Sequence, residues 1–153
     1  MRGAFARLHQ LAAGMAMALC AAGPLSAQSP PDGTLERIES ARAGATIPVY
    51  FNAAENARAT VVLLPGGAGG MGKLVDGWPD GGNFLVRSAK VFRSAGLNVV
   101  IMSRPSDLAD MDNGYRSTAD HVDDVRRVLQ AARQHFAVPL WLVGTSRGTI
   151  STA

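Results

Sequence analysis

The sequence predicts an α/β architecture, a mostly parallel, doubly wound sheet of which only part is present. Three observations carry that expectation. Apolar runs of strand length recur at residues 60–64, 97–102 and 139–143, stretches with helical apolar spacing lie between them, and the first and third runs lead into glycine-bearing turns. Runs that are apolar at every position suit strands covered on both faces. The alternation strand, helix, strand, helix, strand implies right-handed crossovers and parallel pairing.

The first element does not belong to this fold. Arg2 and Arg7 precede an uncharged stretch that ends at Leu25-Ser26-Ala27, with Gln28 beyond. A basic start, a short apolar core and a small-residue boundary form a secretory signal, so residues 1–27 are expected to be removed and the product exported to the periplasm or medium. The apolar run is short for a bilayer and contains Gly14, Gly23 and Pro24, so no membrane association is expected after signal removal. Leu19 stands where a lipid-modified Cys20 would need a small residue.

Signal removal changes the charge reading. The full chain carries fifteen basic and twelve acidic side chains, and Arg2 and Arg7 leave with the signal. The remainder is close to neutral and gathers no dense Lys/Arg patch, so nucleic acid is not an expected partner. The single cysteine leaves as well, which excludes disulfides, a thiol nucleophile and cysteine metal sites from the mature chain.

Residues 28–45 are polar, include Pro30-Pro31-Asp32-Gly33, and read as a lead-in. Residues 46–51 form a plausible outer strand, because Pro48 is best tolerated near an edge. The buried strand at 60–64 runs into a long Gly-rich loop, residues 66–82. Asn83 can cap a helix that reaches Ala95, with Phe84, Leu85, Ala89 and Phe92 near helical spacing and Gly96 as its stop. After the strand at 97–102 comes a polar loop, 103–114. A second helix starts at Ser117 or Thr118 and reaches about Phe136, with Val122, Val125, Leu129 and Ala132 on one face. Residues 139–143 form the third buried strand.

That strand enters Gly144-Thr145-Ser146-Arg147-Gly148. A serine hydroxyl is a poor nucleophile unless it is exposed, aimed and given a base. A sharp strand-to-helix turn lifts Ser146 clear of the sheet, and Gly144 and Gly148 relieve the crowding this turn creates. Acyl transfer also needs donors fixed where a carbonyl oxygen becomes negative. The backbone N–H of Arg147 and one from Gly67 or Ala68, in Pro65-Gly66-Gly67-Ala68-Gly69-Gly70, are the candidates. The same loop satisfies a dinucleotide G-x-G-x-x-G and the start of a P-loop. Both need a helix opening directly behind the glycines, whereas the chain meets Trp78-Pro79-Asp80-Gly81-Gly82, and Leu74 replaces the magnesium-binding hydroxyl. No cofactor and no metal are therefore expected.

The elbow around Ser146, the Gly-rich loop after Leu64 and the strand–helix spacing between them resemble the α/β-hydrolase superfamily of serine esterases, lipases, thioesterases and peptidases. The resemblance covers about Thr46 to Ala153. Pro65 departs from the common form, in which His precedes Gly-Gly. The resemblance implies an acyl-enzyme on Ser146 and a small acyl substrate, whether ester, thioester or amide. It also implies a triad ordered Ser, then acid, then His. Residues 147–153 contain neither an acid nor a histidine, and His121 and His135 sit on the helix before the nucleophile strand. The chain is thus expected to be the N-terminal half of such a domain, truncated after the elbow, with an open edge at its third strand. By itself it is expected to be poorly folded and inactive. A non-catalytic fragment with a binding or assembly role is the alternative. No oligomeric state is specified by the sequence.

Overall fold

The computed structural model describes residues 33–153, so the expected signal, 1–27, lies outside the described residues. In chain order the elements are β1 (Thr34–Glu39), β2 (Thr46–Asn52), β3 (Ala59–Leu64), the short pair β4 (Leu74–Val75) and β5 (Trp78–Pro79), α1 (Phe84–Ser94), β6 (Leu97–Met102), α2 (Asn113–Arg116), α3 (Ala119–His135) and β7 (Leu140–Gly144). A 3-10 helix, Ser146–Thr152, closes the chain.

Five strands form one sheet in the order β1-β2-β6-β3-β7. β6, β3 and β7 are parallel neighbours, and β2 runs antiparallel to both β1 and β6. Four of the five strands therefore point the same way, which is the mostly parallel α/β sheet expected. Alternation along the strands divides the core in two. Val62, Leu64, Val100 and Met102 pack with Val125, Val128 and Ala132 of α3. Val61, Leu63, Val99 and Ile101 pack with Leu85, Val86 and Ala89 of α1. Each large side chain taken from water in this way contributes about 1.5–3 kcal/mol, so the sheet is held from both faces.

The helix ends follow local chemistry. Asn83 accepts a hydrogen bond from the Leu85 N–H at 2.9 Å and caps α1, and Gly96 leaves the helix at φ +76°, a conformation that costs glycine little. Thr118 caps α3 by accepting from the His121 N–H at 3.2 Å.

Several expectations require correction. The polar lead-in at 28–45 contains β1, a six-residue strand. Consequently β2 is not an outer strand, since β1 covers its free side. Pro48 is tolerated because the β2–β6 ladder begins only at Val49. The buried face of α3 is His121, Asp124, Val125, Val128 and Ala132, while Val122 faces outward. In α1 the buried residues are Leu85, Val86 and Ala89, and Phe84 is exposed. β7 is apolar but not buried throughout. Its place at an edge of the sheet is as expected, and that place leaves Trp141 66% exposed. Among the described residues no helix is long and apolar enough to cross a membrane.

Candidate active site

β3 and β7 lie side by side with Leu64 opposite Gly144. The loop after β3 and the turn after β7 therefore emerge together at the carboxyl ends of the parallel strands, where open α/β sheets bind ligands.

At the turn, Thr145 is extended and Ser146 starts the 3-10 helix. Ser146 has φ +52°, and the other non-glycine residues with positive φ among those described are Asn56 and Asp76. Asn and Asp adopt that region readily, whereas a serine there costs about 1–2 kcal/mol. The strain is maintained by packing. A Cβ on Gly144 would strike the Gly148 carbonyl, and one on Gly148 would strike the Leu64 carbonyl. Only glycines permit this closeness. The Gly148 N–H donates to the Thr145 carbonyl at 2.8 Å and tightens the turn. Ser146 is exposed, and its Oγ has no hydrogen-bond partner among the described residues.

The loop and the turn touch. A Cβ on Gly66 would lie 2.5 Å from the Thr145 carbonyl, 3.0 Å from the Ser146 Cβ and 3.4 Å from the Arg147 nitrogen. The residue before the candidate donors Gly67 and Ala68 thus lies against the turn that carries Ser146 and Arg147. The N–H of Arg147 lies in the first turn of its helix, where such groups have no intrahelical acceptor. The N–H groups of Gly67 and Ala68 donate to nothing else among the described residues, and Gly67 takes φ +58°. Helix α1 begins only at Phe84, behind the β4–β5 pair. The phosphate-cradle geometry of a dinucleotide or P-loop site is therefore missing. A cavity of about 690 Å³ is lined by residues 66–72 together with, among others, Asn83, Ser103 and Arg104. Ser146 is not part of its wall, and Gly66 is the lining residue that lies against Ser146.

Neither described histidine serves Ser146. His121 is buried, and its Nε2 lies 2.8 Å from the Ser151 Oγ. Burial first, and then the nearby Arg116 cation, hold its pKa below the ordinary value. His135 pairs with Glu36 at 2.9 Å and stacks on Phe51. The acids of the polar loop are also committed. Asp107 bonds Arg42, Asp110 lies 3.3 Å from Arg147, and Asp112 caps α2 by accepting from the Tyr115 N–H at 2.8 Å.

Two buried polar residues escaped sequence reasoning. Asp124 accepts from the Ser40 hydroxyl, the Ala41 N–H at 2.7 Å and the Tyr115 hydroxyl at 2.9 Å. Burial, and then the bond to Asp124, push the Tyr115 pKa up. Arg116 lies under the Gly-rich loop with its guanidinium buried. For Asp124 the signal was available, because positions 121, 124, 125, 128 and 132 share one helix face. For Arg116, in a polar segment, there was none.

No protein-family profile and no curated protein sequence matches the chain. Solved structures do. An α/β serine hydrolase without a lid from Xanthomonas campestris aligns at 18% identity and TM-score 0.56, over 81% of this chain and 55% of that one. An α/β serine hydrolase homologue from Coxiella burnetii aligns at 20% identity and TM-score 0.49, over 77% and 54%. A soluble variant of monoglyceride lipase from Saccharomyces cerevisiae gives 15% identity and TM-score 0.48, over 80% and 38%. The fold is that of the α/β serine hydrolases. The chain spans about half the length of the Xanthomonas and Coxiella proteins.

Proposed function

We propose that this chain is the nucleophile-bearing portion of an exported serine hydrolase, acting on an ester, thioester or amide. In the reaction, the Ser146 Oγ adds to the acyl carbon, its proton passes to a general base, and the alcohol, thiol or amine departs with a proton. Water then releases the acid from the acyl-enzyme. The carbonyl oxygen, negative in the intermediate, is met by the N–H of Arg147 and that of Gly67 or Ala68. The observation that carries this reading is the strained φ of Ser146, held between two glycines with no room for a Cβ, with Gly66 against Arg147.

No base reaches Ser146 within residues 33–153, so in this reading the histidine and acid come from outside them, and residues 33–153 alone are inactive. A non-catalytic binding role is the second reading, and the lack of a base at Ser146 is what favours it. A fluorophosphonate probe applied to the full-length protein separates the two. Labelling at Ser146 that disappears in Ser146→Ala supports the hydrolase. Labelling that persists in Ser146→Ala, or none at all, ends it. Export is tested separately, by mass spectrometry of the secreted protein: a chain starting at Gln28 is expected, and an intact Met1 terminus contradicts it.

A further inference from the structure

We infer that Arg116 is a positioning residue, which aims the backbone donors of the loop after β3 and ties that loop to the nucleophile helix. The inference rests on the reading of Ser146 as nucleophile. Arg116 is 2% exposed, and no carboxylate lies within ion-pair distance of it among the described residues. A cation buried without an anion is costly for stability, so its retention at this spot calls for another account.

Its bonds supply one. Nε donates to the Met111 carbonyl at 2.9 Å, and Nη1 to the Ser151 hydroxyl at 2.7 Å. Nη2 donates to the Pro65 carbonyl at 2.9 Å and leans on the Gly67 carbonyl at 3.4 Å. In a trans peptide the C=O and the following N–H point in opposite directions, and no peptide here is cis. Drawing the Gly67 carbonyl toward Arg116 therefore turns the Ala68 N–H away from it. The next peptide is fixed too, because the Met111 N–H donates to the Ala68 carbonyl at 3.2 Å. Gly69 takes φ +78°, a conformation that favours glycine, and it lies against the grip, since a Cβ there would come within 3.1 Å of Arg116 Nη2.

The other end of the guanidinium holds the nucleophile helix. The Ser151 hydroxyl accepts the Nη1 bond, and the same oxygen lies 2.8 Å from His121 Nε2. Burial, and then the Arg116 charge, favour the neutral imidazole at that contact. Loop, nucleophile helix and α3 are thereby set at fixed spacing by one planar fork. Its positive charge also stands behind the donors, where it favours a developing oxyanion.

The test compares Arg116→Gln, Arg116→Lys and Ser151→Ala with the wild type in the full-length protein. Each is measured for melting, for the fraction of molecules titrated by a fluorophosphonate, for kcat and KM on an aryl ester, and for affinity toward an aryl boronic acid. Arg116→Gln is expected to lower kcat by roughly a hundredfold with little change in KM, the scale of one lost oxyanion donor. Boronic acid affinity should fall in parallel while the titrated fraction stays full. Arg116→Lys should recover part of the loss, keeping the charge without the planar fork. Ser151→Ala should show a smaller fall in the same direction, and it decides the matter with Arg116→Lys if Arg116→Gln does not fold. Wild-type kcat per titrated site in the folded variants overturns the inference, even if the titrated fraction drops, because that pattern marks a purely structural arginine. Labelling that survives Ser146→Ala instead removes the hydrolase reading beneath it.

Discussion

The loop after β3 and the turn after β7 leave neighbouring strands at the same level, yet they are fixed by different means. The turn is fixed by contact: Gly148 lies against the Leu64 carbonyl, Gly144 against Gly148, and no side chain can be inserted. Gly66 at the start of the loop shares in that contact, against the Thr145 carbonyl, whereas the stretch at Gly67 and Ala68 is held by hydrogen bonds to its carbonyls, from Arg116 and the Met111 N–H. A Cβ on Gly67 would meet nothing within 4 Å. Packing gives a side-chain nucleophile one position and tolerates no added atom. Polar attachment leaves backbone donors open on one side and makes their aim depend on a remote group.

That contrast can be broken in order of effect. Gly148→Ala should be worst, since its Cβ strikes backbone that cannot yield. A stability loss of about 3 kcal/mol, read from urea unfolding, is expected together with loss of Ser146 labelling. A tolerated Gly148→Ala would mean that contact does not hold the turn. Gly67→Ala adds a methyl in open space but at φ +58°, so a loss of about 1–2 kcal/mol is expected from the backbone alone. A loss matching that of Gly148→Ala would erase the distinction between the two regions.

Acid should act on the polar attachment and spare the packed turn. The His121 pKa is lower in the folded chain than its ordinary value of 6.5, so the folded state resists taking a proton that the unfolded state accepts. The associated stability is fully present above about pH 6.5 and is lost as pH falls below it. Melting temperatures measured between pH 8 and 5 should decline at the acid end, and His121→Gln should flatten the decline. An unchanged slope would remove His121 from the account. The smallest effect belongs to Asp110→Asn, which breaks only the half-exposed pair with Arg147. Under about 1 kcal/mol is expected, and a larger loss would show that the turn needs polar support as well.

The same division between packing and polarity decides what the sequence discloses. β3, β6, α1, α3 and the turn at Ser146 are legible because apolar periodicity and glycine spacing record packing directly. β1 is not, because Thr34-Leu35-Glu36-Arg37-Ile38-Glu39 is a largely exposed edge with little apolar alternation to display. The interior place of β2 is hidden for the same reason, since its cover is β1. The open edge at β7 is legible because no later strand follows the turn in residues 146–153, whereas its apolar run overstates its burial, since an edge strand keeps side chains such as Trp141 in water. Val122 misled because it is apolar on the outer face of α3, while the inner face carries His121 and Asp124. Arg116 had no sequence signature, as its burial depends on carbonyls some fifty residues away.

The exposed β7 edge gives the molecule an optical reporter. The sequence has two tryptophans. Trp78 is partly covered, with the Tyr50 ring 5.7 Å away and the Lys90 ammonium over its face, whereas Trp141 stands largely in water. Their fluorescence should differ in colour and in access to iodide, and Trp78→Phe would leave Trp141 as the single emitter. Anything that settles on that strand, from this chain or another, should then shift the emission to the blue and shield it from the quencher.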